Sequence, residues 1–193
     1  MVTTGDEAGG WNLAPMGPHV SPEWLIDGDG EPDMRLLPFE GSRTHANLRR
    51  HPFAVVHFVD DPMMFARGVL GGWSDRELDC MTVPVAGHAV RRLKACQRFL
   101  VVRLHSGDWN QTRPKLTADV LLDQSVDPPA GFNRGHAAVI EAAILASRVR
   151  HLSRSELMAH WDFLRSAVEK TGSPAALEAF TMLDRYVREH ANG

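Results

Sequence analysis

The chain has 193 residues with a formal net charge of −3, and 44% of its residues are hydrophobic. This apolar fraction is ordinary for a globular protein and suffices for a core without a metal or disulfide staple. The small negative charge gives no electrostatic reason to expect binding to nucleic acid or to an anionic membrane. The length fits one domain, or one domain with a modest appendage.

Targeting and membrane signals are absent from the pattern of residues. The first residues lack the basic and apolar segments of a signal peptide, and no apolar run approaches the roughly 20 residues of a membrane helix. We therefore expect a soluble, cytoplasmic protein. Its two cysteines, Cys80 and Cys96, could pair, but free buried thiols are the simpler interpretation.

The first two thirds of the sequence predict short strands separated by turns. Apolar and β-branched segments predict strands at residues 2–4, 11–20, 34–39, 53–59, 82–85, 99–104 and 116–122. Pro15 and Pro18 confine the second of these strands to a sheet edge or a bulge. Turn clusters occupy residues 5–10 and 27–33, and short helices are predicted at residues 42–50 and 63–70. This spacing is typical of a barrel or a sandwich.

The pattern becomes helical after residues 127–131. Ser153 and Glu156 form the capping-box pattern of a second helix, which Gly172 ends with the left-handed conformation common at helix C-termini. Ser173 and Pro174 begin a third helix with an N-cap and an N1 residue. We therefore predict a β-rich domain over residues 1–128 and a three-helix segment over residues 129–193.

One segment has the residues of a phosphate site. Residues 39–44, Phe-Glu-Gly-Ser-Arg-Thr, stand between a predicted strand and the start of a helix. The unpaired N–H groups and partial positive charge of a helix N-terminus favour a phosphate. Ser42 and Thr44 add hydroxyl groups, and Arg43 adds a guanidinium that can bind two phosphate oxygens. From these residues alone, the alternative is that Ser42 or Thr44 caps the helix and Arg43 faces solvent.

Two further segments could face a ligand. In residues 12–17, Asn-Leu-Ala-Pro-Met-Gly, proline and glycine interrupt the sheet ladder and free backbone groups; the alternative is an irregular edge strand. At the entry to the helices, Asn133 is an N-cap, while Arg134 and His136 could reach an anionic or carbonyl group. His57 is interpreted as a hydrogen-bonded strand residue rather than a base or ligand, and no metal site is predicted.

Taken together and in this order, these segments resemble one known family. The resemblance rests on residues 12–17, on residues 38–44 with Asn47 and Leu48, on Asp60 and Asp61, on residues 132–134 with 138–142, and on residues 169–172. The chain resembles the archaeal and bacterial family called domain of unknown function 447, within the FMN-binding split-barrel superfamily. The resemblance extends from about Val2 to Val187.

The resemblance implies a fold, a cofactor and a set of contacts. The fold is a six-stranded Greek-key split β-barrel, here followed by three helices that pack on the barrel or on a dimer partner. The cofactor is FMN, held at or near the interface of a homodimer. The resemblance places the phosphate against Ser42, Arg43, Thr44 and Asn47, and the ring along Ala14, Pro15, Met16 and Gly17, with Phe39 and Gly41 also among the cofactor contacts. It also adds Asn133, Arg134 and His136 to the cofactor contacts.

The chain departs from the family pattern at three positions. His45 and His57 stand where Tyr and Asn are common, and His136 stands where Lys is frequent. Phosphate binding does not depend on these positions, but contacts to the ring edge do. We propose Arg134 or His136 for the edge of the ring that becomes anionic on reduction.

Two classes of function follow from the resemblance. The first is an FMN-dependent oxidoreductase acting on an unidentified small molecule, with a nicotinamide donor or a pterin-like substrate as candidate partners. The second is a non-catalytic flavin carrier, sensor or assembly protein. No residue demands the role of catalytic acid or base, so none is assigned. The sequence also leaves open which subunit supplies which flavin contact.

Overall fold

The computed structural model describes residues 1–5, 10–20, 34–73 and 77–191. The predicted turn residues 6–9 and 27–33 lie outside the described residues. The chain is a mixed α/β protein whose elements divide into two compact units. The β-rich unit comprises Met1–Val59 and Trp73–Pro128, and the helical unit comprises Asp60–Gly72 and Pro129–Gly193.

The described part of the chain contains eight strands and five helices. The strands are β1 (Val2–Gly5), β2 (Trp11–Ala14), β3 (Met34–Leu36), β4 (Phe53–Phe58), β5 (Cys80–Val85), β6 (His88–Leu93), β7 (Arg98–Gly107) and β8 (Leu116–Ser125). The helices are α1 (Arg43–Arg50), α2 (Pro62–Leu70), α3 (Arg134–Ser147), α4 (Arg154–Thr171) and α5 (Pro174–His190).

Six strands form one antiparallel sheet in the order β2-β1-β4-β7-β8-β3. Alternate residues of these strands point to opposite faces, so one face gathers Val2, Val56 and Leu100 with the rest of the main β-rich core. On the other face, Val55 and Phe99 pack against the separate β5–β6 hairpin. Both faces of the sheet therefore carry buried apolar side chains.

The second strand of the sheet is shorter than predicted. It ends at Ala14 rather than extending to residue 20 and lies at an edge of the sheet. Pro15 has no N–H to donate to a ladder, which accounts for both its end and its edge position. Within the described part of the chain, His19 alone of residues 15–20 forms a further bridge, to Arg35.

Strand β6 was not predicted. It follows β5 through a two-residue turn in which Ala86 and Gly87 have φ of 49° and 77°. Such positive φ angles are those of the tight hairpin turn whose usual sequence is Asn-Gly or Asp-Gly. Because Ala-Gly is a weak form of that signal and half of the residues of β6 are polar, the sequence alone does not predict the hairpin.

The helical unit has its own core. Ala66 of α2 is buried with Val139 of α3, Trp161 of α4 and Leu183 of α5. Helix α2 therefore belongs to this unit, although its sequence lies within residues 1–128, which we predicted as a β-rich domain. No helix of the described residues is long and apolar enough to cross a membrane.

The predicted helix starts are confirmed. Asn133 and Ser173 cap α3 and α5, and Ser153 with Glu156 forms the capping box of α4. Gly172 does follow α4, but its φ of −75° shows that the left-handed conformation was the wrong reason. A Cβ at Gly172 would lie 2.6 Å from the Val168 carbonyl oxygen, so close packing explains the glycine instead.

Candidate functional site

The first turn of α1 provides the donors of the predicted phosphate site. Ser42 is the N-cap, and its Oγ accepts a hydrogen bond from the His45 N–H at 3.1 Å. Gly41 precedes it with φ of +77°, a conformation that glycine adopts without strain. The first turn contains no acidic residue, and the exposed Arg43 side chain has no hydrogen bond or ion pair with the described residues. The structure therefore has the arrangement given above as the alternative, with Ser42 capping the helix and Arg43 facing solvent, and the binding of a phosphate at this position stays a prediction.

Thr44 and Asn47 have different surroundings from Ser42 and Arg43. Thr44 is 3% exposed and Asn47 is 6% exposed. Thr44 Oγ1 accepts a hydrogen bond from Asn12 Nδ2 at 3.0 Å, which joins α1 to β2. Asn47 Nδ2 lies 3.1 Å from Thr4 Oγ1 and 3.3 Å from the Thr4 carbonyl oxygen, which joins α1 to β1. These two side chains hold the helix on the sheet.

The predicted ring-side segment begins at the end of β2. Ala14, Pro15 and Met16 are half-buried, and Gly17 is exposed. Met16 packs partly against the β-rich core, whereas a Cβ at Gly17 would meet nothing within 4 Å. The Asn12–Thr44 hydrogen bond, two residues before Ala14, links this segment to α1 within the β-rich unit.

Arg113, which no sequence motif pointed to, lies in the β7–β8 connection. Its guanidinium stacks over the Phe39 ring with 4.7 Å to the centroid, and its Nε donates to the Leu37 carbonyl at 3.4 Å. Beside it, the Glu40 N–H donates to the Thr112 carbonyl at 2.9 Å. Arg113 therefore brings a second guanidinium to the segment before α1. Arg113 is far from Phe39 and α1 in the sequence, so no local pattern of residues could have predicted that it lies beside them.

His45 presents a buried polar atom beside this site. It is 6% exposed and packs edge-on against Trp109, with 5.4 Å between ring centroids. Its Nε2 has no hydrogen-bond partner among the described residues. The guanidinium of Arg49 lies 5.8 Å from the Trp109 ring on the same side of α1. The imidazole thus fills a mainly apolar position, where the family resemblance led us to expect Tyr.

Asn133, Arg134 and His136 lie in the helical unit, whereas the segments described above lie in the β-rich unit. Asn133 Oδ1 accepts from the His136 N–H at 3.0 Å, as expected of an N-cap. His136 Nε2 lies 2.9 Å from Ser173 Oγ, so this ring also ties α3 to the start of α5. The exposed Arg134 guanidinium lies 5.5 Å from the Phe163 ring. Arg134 is the freest of the three to meet a ligand.

His57 has the structural role predicted for it. It is 2% exposed, and its Nε2 accepts a hydrogen bond from the Leu93 N–H at 3.1 Å. Burial lowers the pKa of His57 to about 3, so the ring is neutral at physiological pH and remains an acceptor. Cys80 and Cys96 are free thiols, and burial raises the pKa of Cys80 to about 12.

Comparison with protein families identifies the chain. The model of the N-terminal domain of the protein of unknown function DUF447 matches residues 1–126, and a second DUF447 model matches residues 133–185. The chain belongs to the DUF447 family. The resemblance inferred from the sequence motifs is therefore confirmed.

The chain is similar to several solved structures, and the two with TM-scores of 0.79 and 0.50 show the same fold. The FMN-bound protein MM1853 from Methanosarcina mazei, also of the DUF447 family, is 20% identical and superposes with a TM-score of 0.79 over 96% of this chain and 92% of that chain. Flavoredoxin from Methanosarcina acetivorans is 13% identical, with a TM-score of 0.50 over 66% of this DUF447 chain and 72% of that chain. The 2-nitrobenzoate 2-nitroreductase NbaA of Pseudomonas fluorescens is 15% identical, with a TM-score of 0.49 over 65% of this chain and 62% of that chain. No curated protein matches the chain in sequence.

Proposed function

We propose that this DUF447 protein binds FMN and that the start of α1 holds the phosphate. The observation that carries the proposal is an exposed Arg43, with no partner among the described residues, next to a helix N-cap, in a chain that shares the fold of an FMN-bound family member. Backbone N–H groups at a helix start and a guanidinium both favour a phosphate. The absence of acidic residues from the first turn adds to this preference.

The residues of the site divide into those that would contact the phosphate and those that position the helix. Ser42 and Arg43 are accessible, and the φ of Gly41 allows the turn that precedes them. Thr44 and Asn47 are buried and hydrogen-bonded to β2 and β1, so in this proposal they fix the direction of α1. In this proposal Phe39, with the Arg113 guanidinium stacked over its ring, forms the outer wall of the phosphate site.

The ring would lie along Ala14–Gly17, where the end of β2 frees backbone groups from the ladder. Arg134 and His136 remain the candidates for its polar edge, and Arg134 is favoured because His136 is engaged within the helical unit. When bound, FMN supplies hydride and electron transfer, which amino-acid side chains do not provide. The protein supplies binding, orientation and the exclusion of water.

The finer architecture belongs to the same proposal. The strand order β2-β1-β4-β7-β8-β3 supports a six-stranded Greek-key split barrel, with β2 and β3 at the ends of the sheet. We further propose a homodimer with FMN at or near the subunit interface. Sedimentation equilibrium with and without FMN tests that state, and a monomer at all concentrations in the presence of FMN would rule it out.

We propose that the bound flavin serves an FMN-dependent oxidoreductase with a nicotinamide donor. The test is an anaerobic titration of the FMN-loaded protein with NADH and NADPH, followed by the loss of flavin absorbance. Reduction by either donor faster than that of free FMN under the same conditions supports the enzyme. Flavin that stays oxidised with both donors would favour the alternative of a non-catalytic carrier, sensor or assembly protein, in which FMN binding is retained without turnover.

A further inference from the structure

A small cavity lies in the β-rich unit beside strands β1, β4 and β6. Its volume is about 220 Å³. This volume is below the about 300–1,000 Å³ typical of sites for drug-sized ligands, so its occupant would be small. None of its lining residues belongs to the proposed flavin site. The cavity is therefore separate from the residues proposed to contact FMN.

The way in which β6 is attached explains why the space exists. Within the described residues, β6 forms a ladder only with β5. Side chains join it to the six-stranded sheet: Thr3 Oγ1 donates to the Arg91 carbonyl at 2.6 Å, and the Leu93 N–H donates to His57 Nε2 at 3.1 Å. Among the described residues, the half of β6 from His88 to Val90 has no such hydrogen bond to the sheet, and it is this half, with Arg91, that lines the cavity.

The polar groups of the cavity favour an anion. His51, His88 and Arg91 line it, and no acidic residue is among the lining residues that the structure describes. The Arg91 guanidinium lies 5.7 Å from the ring of the buried Trp11 and has no carboxylate partner in the part of the chain that the structure describes. Arginine remains protonated under all physiological conditions, so this charge is permanent.

The hydroxyls of Thr3 and Thr4, which also line the cavity, are hydrogen-bonded within the protein, and the apolar part of the lining favours an apolar body on that anion. Phe53, Val55 and Val90 line the cavity, and the His88 ring lies 4.4 Å from the Phe53 ring. A planar guanidinium matches the two oxygens of a carboxylate, while the apolar walls offer nothing to a fully hydrated inorganic ion. We propose that this cavity is a second binding site, which takes a small organic carboxylate with an apolar body.

Benzoate is a suitable probe, and benzamide is its uncharged counterpart. The full chain, kept saturated with FMN, is titrated with each compound while amide chemical shifts are followed by NMR. We expect saturable shifts at the cavity residues and a Kd for benzoate at least about tenfold below that for benzamide. Arg91→Gln should raise the benzoate Kd about ten- to a hundredfold, since a charge-assisted hydrogen bond is lost.

Arg103→Gln is the matched control, because it removes one exposed arginine from the same unit and only a 3.4 Å surface pair with Asp119. We expect it to leave the benzoate Kd unchanged within about twofold. Arg91→Gln keeps the backbone carbonyl that Thr3 binds, so the fold is expected to persist and is checked by circular dichroism.

Inorganic phosphate is titrated in the same way, and four results would show that the cavity is not a carboxylate site. They are an absence of saturable shifts at the cavity, equal affinity for benzamide, equal affinity for inorganic phosphate, and equal loss of affinity in both arginine variants. Release of FMN by benzoate would instead make the cavity part of the flavin site and overturn its separate identity. If the protein binds no FMN, the same titration without flavin still decides whether the carboxylate site exists.

Discussion

At the first turn of α1, exposed and buried side chains are direct neighbours in the sequence. Arg43 is exposed, while Thr44 is buried and accepts the amide of Asn12. A hydroxyl that is already engaged and shielded contributes less to a new ligand than an exposed guanidinium does. At this scale, affinity for a phosphate is therefore expected to depend mainly on Arg43, and the integrity of the site on Thr44 and Asn47.

Replacement of Arg43 by Ala should weaken FMN binding without unfolding the protein. Loss of a charge-assisted hydrogen bond of about 1.5–3 kcal/mol predicts a Kd about ten- to a hundredfold higher. Arg50→Ala removes the same charge from the last turn of the same helix and is the control. Quenching of flavin fluorescence measures both, and an equal effect of the two variants would show that only net charge matters.

Asp184 in the helical unit gives a prediction for pH. It accepts hydrogen bonds from Trp161 Nε1 at 2.6 Å and Arg188 Nε at 2.9 Å, and Arg165 lies at 2.6 Å. Burial opposes ionisation, but the bonds from Arg188 and Trp161 and the charge of Arg165 together hold the pKa of Asp184 below its ordinary value. The carboxylate therefore contributes stability above its unfolded pKa of about 3.9, and loses it as the pH falls through the folded pKa.

Asp184→Asn should lower the free energy of unfolding by about 2 kcal/mol at pH 7, because bonds to a charged acceptor become bonds to a neutral one. The difference from the native sequence should shrink as the pH falls below about 4. Urea denaturation from pH 7 to pH 3 measures this, and Glu178→Gln, an exposed residue of the same helix, is the control. A difference that is constant across this range would contradict the assignment.

At the scale of elements, α3 crosses the α4–α5 junction at two glycines. A Cβ at Gly135 would lie 2.5 Å from Gly172 Cα and 2.9 Å from the Thr171 carbonyl carbon. These are backbone atoms, which cannot move aside as a flexible side chain would. The contact also brings His136 to Ser173 and so connects two helix starts.

Gly135→Ala is expected to force the helices apart and to destabilise the protein by about 1–3 kcal/mol, or more if the crossing cannot shift. Gly17→Ala is the comparison, since its added methyl would meet nothing within 4 Å. Thermal unfolding of both variants measures the difference. A melting temperature of Gly135→Ala equal to that of the native sequence would show that this close approach is not needed.

At the scale of the whole molecule, local sequence signals predicted most helices and strands but not the contacts between residues that are far apart in the sequence. Caps at Asn133, Ser153 and Ser173 and the apolar strand before Asp60 have signals within a few residues, and the structure has these elements. The packing of α2 with the C-terminal helices depends on contacts across about 70 residues of sequence, which periodicity does not encode. For the same reason Arg113 and the cavity beneath β6 were not predicted, while Ser42 and Arg43 were.

The motif order predicted the family, which no single motif could do, and the family models confirm it. The roles of the site residues stay predictions. The sequence could not show that Thr44 and Asn47 are buried while Ser42 and Arg43 are accessible, because this difference arises only when α1 packs on the sheet. The central claim is that the start of α1 holds the phosphate of a flavin.

Parallel titrations with FMN and with riboflavin test this claim most directly, since the two flavins differ only by the phosphate. Isothermal calorimetry on the native sequence should give a Kd for FMN at least about tenfold lower than for riboflavin. In Arg43→Ala, the Kd for FMN should rise towards the Kd for riboflavin. Equal affinity for both flavins in the native sequence, or no binding of either, would contradict the account.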